Sequence, residues 1–403
     1  MVMKQNRGYV WRTVLALVTL TVFSFVLAGP AAAACVRAAS LRAETREQEK
    51  TVQQKMDEMT LDDKILQMFI VTPEVLNGST KTEFSAEERL KQAGPETLNS
   101  LRKRPVGGII YFADNLESRS QTKTMIANTQ SYARQTSGIP LFICVDEEGG
   151  IVARCAKKLG TTKFKPMQSY ENQGTQTAHD NAQTIAKDIR QFGFNVDFAP
   201  VADVNLAKNS VIGTRAYSSS PQKAAELIPA AVRGFHDGGV VCTLKHFPGH
   251  GDTQEDSHKE TAHLKKSLSQ LRKAEFLPFQ AGIDAGADMV MVGHIVTDQI
   301  DPKYPATLSK TIVTDILRGQ LGFQGLVVTD SMGMGAISSH YSPGEAAVLA
   351  IAAGDDLLLG VYNVPEALAG VRSAVQSGRL SQQRIDQSVR RILMKKVQMG
   401  LLK

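Results

Sequence analysis

Short apolar runs recur along the chain from residue 65 onward: ILQMFIV (65–71), VGGIIYF (106–112), PLFICVD (140–146), NVDFAPV (195–201), VVCTLKH (240–246), DMVMVGH (288–294), GLVVTD (325–330) and DDLLLG (355–360). They are continuous rather than alternating, which fits strands buried on both faces of a parallel sheet. Helical spacing separates them. Ala178, Ala182, Ile185, Ala186, Ile189 and Phe192 fall on one face, with Gly193 placed as a C-cap. Ala224, Leu227, Ile228, Ala231, Val232 and Phe235 repeat the pattern before Gly238-Gly239, and Ser309 can cap a helix carrying Ile312, Ile316 and Leu317. Eight strands alternating with helices predict an α/β fold, a (β/α)8 TIM-type barrel forming a single catalytic domain over 51–403. An open doubly wound sheet is the runner-up, and no GxGxxG follows the first strand to favour it.

The N-terminus has a different pattern. Lys4, Arg7 and Arg12 precede an uncharged stretch, Thr13–Ala34, that ends in AAAAC at 31–35. A basic region, an apolar region and small residues before a cleavage point predict a signal peptide over 1–35 and an exported protein, periplasmic or extracellular. The uncharged run is also long enough to span a bilayer, so a retained anchor competes with cleavage, while Pro30 and the alanines favour cleavage. Cys35 directly after small residues is the position a bacterial lipoprotein would lipidate. Ala32 stands where such signals usually carry Leu, so both outcomes stay open. The polar stretch 36–50 is expected as a linker.

Length and composition add limits. With 403 residues, 42% of them hydrophobic, the chain can bury a large core. The net charge of +6 comes from scattered lysines and arginines without interleaved aromatics, which argues against nucleic-acid binding. Cys144 and Cys242 lie in apolar runs, Cys155 has no regular partner, and no CxxC is present. Neither a disulfide framework nor a thiolate zinc site is indicated.

The polar residues are concentrated at the ends of the predicted strands. Asp146-Glu147-Glu148 follows the third, Asp203 ends the fourth, Lys245-His246 the fifth, His294 the sixth and Asp330-Ser331 the seventh. Barrel enzymes carry their chemistry at the C-terminal strand ends. The run KHFPGHGDTQEDSH (245–258) admits three chemistries. A metal would need His246, His250, Asp252 and His258 to converge, and the intervening Phe-Pro-Gly excludes the helix that would bring the first two onto one face. Lys245 could form a Schiff base if burial lowered its pKa. Retaining glycoside hydrolysis needs a rigidly held carboxylate, for which Asp330 is placed, and a proton donor. Glu147, Glu148, Glu255, or His258 oriented by Asp256, could be that donor. Gly249, Gly251 and Thr253 suggest a mobile loop that closes over bound sugar.

KHFPGHGDTQEDSH, with VDEEGG (145–150), IGTRAY (212–217) and VVTDSMGMGAI (327–337), closely resembles glycoside hydrolase family 3, specifically its NagZ-type β-N-acetylglucosaminidases, over about residues 50–400. The resemblance implies Asp330 as nucleophile, His258 as acid/base and Asp256 as the residue orienting it. It also implies that Asp146, Arg215, Lys245 and His246 hold the hydroxyls of GlcNAc, with Arg154 supporting them. No metal or organic cofactor is implied. The implied substrate is GlcNAc β-1,4-linked to N-acetylmuramic acid or its anhydro form in muropeptides. Single-barrel relatives often work in the cytoplasm, and an export signal departs from that pattern. A phosphorylase using the same intermediate and a non-catalytic envelope sugar-binding lipoprotein remain as rivals.

Overall fold

The structure is a computed structural model that describes the backbone from residue 30 and side chains from residue 43, apart from 208–210 and 254–260. The chain falls into two units, Met1–Gln54 and Lys55–Lys403. The described backbone of the first belongs to a helix, Pro30–Asp57, which covers the stretch 36–50 expected as a linker. Its Glu, Gln, Lys, Arg and Ala content accounts for this, since these residues lose little side-chain freedom in a helix. No helix among the described residues is long and apolar enough to cross a membrane. The signal-like segment 1–29 lies outside the described residues.

All eight expected strands form in the second unit: β1 Phe69–Val71, β2 Gly108–Ile110, β3 Phe142–Val145, β4 Val196–Asp197, β5 Thr243–Phe247, β6 Met289–Val292, β7 Leu326–Thr329 and β8 Leu358–Leu359. Every one of their residues is buried, as continuous apolar runs require. Parallel pairing runs β8-β1-β2-β3-β4 on one side and β5-β6-β7 on the other. Parallel bridges Val196–Val241 and Val201–Lys245 join β4 to β5, and Val328–Leu357 joins β7 to β8. The ring is therefore a closed barrel, not an open sheet.

Local differences from the sequence reading have simple causes. Ile65-Leu66-Gln67 is the end of a helix, Leu61–Gln67, and only Phe69–Val71 extends. Thr60 and Asp63 close a capping box at its start, and Ile65 and Leu66 bury their side chains from a helix rather than a strand. β4 stops at Asp197, so Asp203 follows the strand in a buried loop rather than ending it. The helices Gly174–Arg190 and Pro221–Gly238 bury the expected faces against the barrel, the second capped by left-handed Gly239. The Ser309 hydroxyl accepts from the Ile312 N–H at 3.2 Å.

One core residue carries a charge change. Lys396, on the final helix Gln382–Gln398, is fully buried. It donates to Gln67 Oε1 at 2.9 Å and the Gly107 carbonyl at 3.0 Å, with the Phe142 ring centroid 5.0 Å away. Burial pulls its pKa down from 10.5 to about 7. The unfolded chain keeps the ordinary lysine value, so between pH 7 and 10.5 it binds more protons than the folded chain, and stability rises with pH across that window. Thermal melts of Lys396→Met are therefore expected to lose part of the gain in Tm that the parent shows from pH 7 to pH 10. Parallel curves for the two proteins would reject this account.

Candidate active site

A cavity of about 440 Å3 opens at the C-terminal ends of the strands. Asp146, Glu148, Arg154, Arg215, Lys245, His246 and Asp330 all line it. Its centre is an ion network built from three segments: the one after β3, the turn Gly213–Arg215 and β5 itself. Lys245 Nζ, on β5, lies 2.8 Å from Asp146 Oδ1 and 2.7 Å from Glu148 Oε1. Arg215 grips Glu148 with both arms of its guanidinium, Nε to Oε2 at 2.8 Å and Nη2 to Oε1 at 2.7 Å. Such a fork fixes orientation as well as charge. The sequence reading treated Glu148 only as a proton-donor candidate and missed its place as hub of this network.

Each ionisation state has a cause. Burial pushes the Glu148 carboxyl up, but Lys245 and Arg215 outweigh it and hold it well below the usual range. Burial pulls Lys245 down, and Asp146 and Glu148 more than reverse this, so it remains an ammonium at neutral pH. An ammonium is no nucleophile, and the Schiff-base alternative falls. Glu147 points elsewhere. Its carboxylate accepts from the N–H groups of Cys155 (2.7 Å) and Ala156 (3.0 Å), capping the short helix Arg154–Leu159. Neither Glu147 nor Glu148 is a proton donor for this cavity.

His246 is fixed by Asp203, whose Oδ2 lies 2.7 Å from His246 Nδ1 and 3.0 Å from its N–H. Asp203 Oδ1 accepts from the His250 N–H at 2.6 Å. Burial raises the Asp203 carboxyl, and His246 outweighs it, so the net shift is downward. Arg154 lines the cavity with its Nε buried and unpartnered among the described residues. A buried donor without a partner leaves a hydrogen bond for a ligand to make. Asp330 directly follows β7 and takes the Ser331 N–H on Oδ1 at 2.7 Å. His294 supports it indirectly, with Nε2 2.9 Å from the Ser331 carbonyl and Nδ1 2.8 Å from Thr307 Oγ1.

His258 and Asp256, expected as the acid/base pair, lie outside the described residues, as does Glu255. The stem leading to them is packed, contrary to the mobile loop expected around Gly249, Gly251 and Thr253. A Cβ at Gly251 would run into the Val204 carbonyl oxygen, and the Gly251 carbonyl accepts from the N–H groups of Leu206 and Ala207. Gly249 has φ 123°, where its side chain would also meet Glu275. Thr253 is buried, and Asp252 pairs with Lys266 at 2.6 Å. These glycines mark close approach rather than hinges.

Of the residues a metal would need, His250 Nδ1 is 2.5 Å from Thr253 Oγ1, and Asp252 pairs with Lys266. Among the described residues His236, Cys242 and Asp288 do gather, far from the cavity, near a depression of about 810 Å3 at the N-terminal strand ends. Asp288 is already paired with Lys395 at 2.8 Å and His236 at 2.9 Å. Burial pushes the Cys242 thiol well up. Barrel chemistry also belongs at the other end.

A closed parallel barrel with a charged cavity and a carboxylate at its strand ends fits a glycoside hydrolase. The chain belongs to glycosyl hydrolase family 3, whose N-terminal domain matches residues 60–394, and within it to the β-hexosaminidase group. A beta-hexosaminidase of Xanthomonas oryzae pv. oryzae is 38% identical over 314 residues, 76% of this chain and 88% of that protein. The family 3 beta-N-acetylglucosaminidase structure from a Paenibacillus species is 37% identical with a TM-score of 0.77, covering 85% of this chain and 63% of its own. The beta-N-acetylhexosaminidase structure from Beutenbergia cavernae is 29% identical with a TM-score of 0.74, covering 84% of this chain and 99% of its own.

Proposed function

We propose that this β-hexosaminidase is a retaining, exo-acting β-N-acetylglucosaminidase that releases terminal β-1,4-linked GlcNAc from peptidoglycan fragments. The observation that carries the mechanism is Asp330 on the cavity wall with the Asp146–Lys245–Glu148–Arg215 network. Fixed carboxylates accept from sugar hydroxyls, while Lys245, Arg215, His246 and Arg154 supply donors. With the terminal sugar held there, the Asp330 carboxylate attacks the anomeric carbon as the glycosidic C–O bond breaks. Protonated His258, oriented by Asp256, gives its proton to the leaving oxygen. Neutral His258 then takes a proton from water as that water displaces Asp330, and two inversions restore the β configuration. Glu147 and Glu148 are both engaged otherwise, which supports assigning the donor to the segment containing His258.

Peptidoglycan as substrate and export as location rest on the motif resemblance and on the signal-like N-terminus, with Cys35 as the lipid-bearing residue if the protein is anchored. Fractionation of cells into membrane and soluble pools separates an anchored form from a released one. The primary test is turnover of aryl β-N-acetylglucosaminide and aryl β-glucoside side by side, followed by muropeptides. Strong preference for the acetamido sugar, with GlcNAc released from muropeptides, is expected. Preference for the glucoside, or turnover of neither by the folded protein, would sink the assignment.

A further inference from the structure

One wall of the cavity comes from a segment without any recognisable motif. Residues 79–90, between β1 and β2, contribute Lys81, Phe84 and Arg89 to the lining. The segment is tied down by Glu74, a buried carboxylate whose Oε1 accepts from the Leu90 N–H and Asn115 Nδ2, each at 2.8 Å. Glu74 Oε2 pairs with Arg89 Nη1 at 3.2 Å. Asn115 Nδ2 also donates to the Leu90 carbonyl at 2.8 Å. From this anchor the Arg89 guanidinium lies over two rings, 4.9 Å from the Phe84 centroid and 4.5 Å from that of Phe112, both of which line the cavity. A cation over a ring face holds the ring's orientation as well as its position. Thr82 packs beside Gly333, three residues beyond Asp330.

This wall differs chemically from the one opposite. The segments around β3 to β5 present carboxylates, an ammonium and a guanidinium suited to hydroxyls, whereas this side adds the rings of Phe84 and Phe112 beside Lys81, Glu83 and Arg89. Lys81, Thr82 and Glu83 are exposed, which places the segment at the mouth. In an exo-acting site the terminal sugar fills the end lined by the hydroxyl-binding groups, and the leaving group occupies the mouth. Resting on the exo-glycosidase function proposed above, we propose that residues 79–90 form the leaving-group platform. Phe84 stacks on the C–H face of the pyranose being released, and Arg89 is the positioning residue that holds Phe84 in place.

The test compares two substrates on the full-length protein: the β-1,4-linked GlcNAc disaccharide, whose leaving group is a sugar, and N-acetyl-β-glucosaminyl fluoride, whose leaving group is too small to reach the mouth. Phe84→Ala is expected to lose about tenfold in kcat/KM on the disaccharide, mostly through KM, and to stay within about twofold on the fluoride. Phe84→Tyr should restore the disaccharide value. Arg89→Lys keeps a charge facing Glu74 but removes the planar group over the rings, and it should show the same split more weakly. Equal losses on both substrates, or no loss on the disaccharide, overturn the platform. A parent protein inactive on both strikes the underlying function itself, a separate outcome.

Discussion

Asp330→Ala is expected to lower kcat by roughly four or more orders of magnitude while the protein stays folded. The size follows from the proposed role: in that mechanism the residue supplies the bond that defines the intermediate, and its loss removes the step rather than slowing it. At this half-buried site the Ser331 N–H to Asp330 Oδ1 hydrogen bond is lost with the carboxylate, a cost of about 1 kcal/mol that leaves the fold intact. Azide gives the test a chemical signature. In the space vacated by the carboxylate it should attack the anomeric carbon from the same face, displace an aryloxide, and leave an α-glycosyl azide. Rescue with that stereochemistry identifies the face on which Asp330 acts. Activity near the parent value without azide would show that another group, such as the acetamido oxygen of the substrate, is the nucleophile.

Most of the barrel was legible in the sequence because strands buried on both faces must read as unbroken apolar runs. The same signal failed at 65–68, where Ile65 and Leu66 are equally buried from a helix, and only the Thr60–Asp63 capping box separates the two cases. At the site, the strand ends pointed to Asp146, Lys245, His246 and Asp330, and these do line one cavity. What could not be read was the direction of adjacent carboxylates. Glu147 and Glu148 are successive residues on an extended segment, so their side chains point opposite ways. One caps a helix and the other joins Lys245 and Arg215, a division set by backbone register alone. Gly249 and Gly251 misled differently. Glycine signals either freedom or close approach, and here the Val204 carbonyl and the Glu275 side chain occupy the space a Cβ would need. The aromatic wall at Phe84, Arg89 and Phe112 was not legible, because its parts come from separate segments that meet through Arg89, which lies over both rings and pairs with the buried Glu74.

His258→Ala is expected to divide substrates by their leaving group. An alkoxide from a sugar is a poor leaving group and needs its proton during bond cleavage, so loss of the acid should cost about 10² to 10⁴ in kcat/KM on the disaccharide. A dinitrophenolate leaves readily without protonation, so kcat/KM on the corresponding aryl glycoside should fall far less. The second step then becomes limiting, because water attacks the glycosyl-enzyme without a base, and a burst of phenolate followed by slow turnover should appear. The acidic and basic limbs of the parent pH profile should also be altered, since in the proposed mechanism one imidazole serves both steps. Asp256→Asn, which keeps the shape of the orienting group but removes its charge, should reproduce a milder form of the same split. The structure narrows the alternatives for this test: Glu148 is held ionised by Lys245 and Arg215, and Glu147 is spent on backbone N–H groups, so neither can replace the missing acid. Glu255, in the same run as His258, is the remaining carboxylate among the donor candidates. If His258→Ala slows both substrates equally and shows no burst while Glu255→Gln produces the split, the donor is the glutamate, and the histidine's part is confined to shaping the loop.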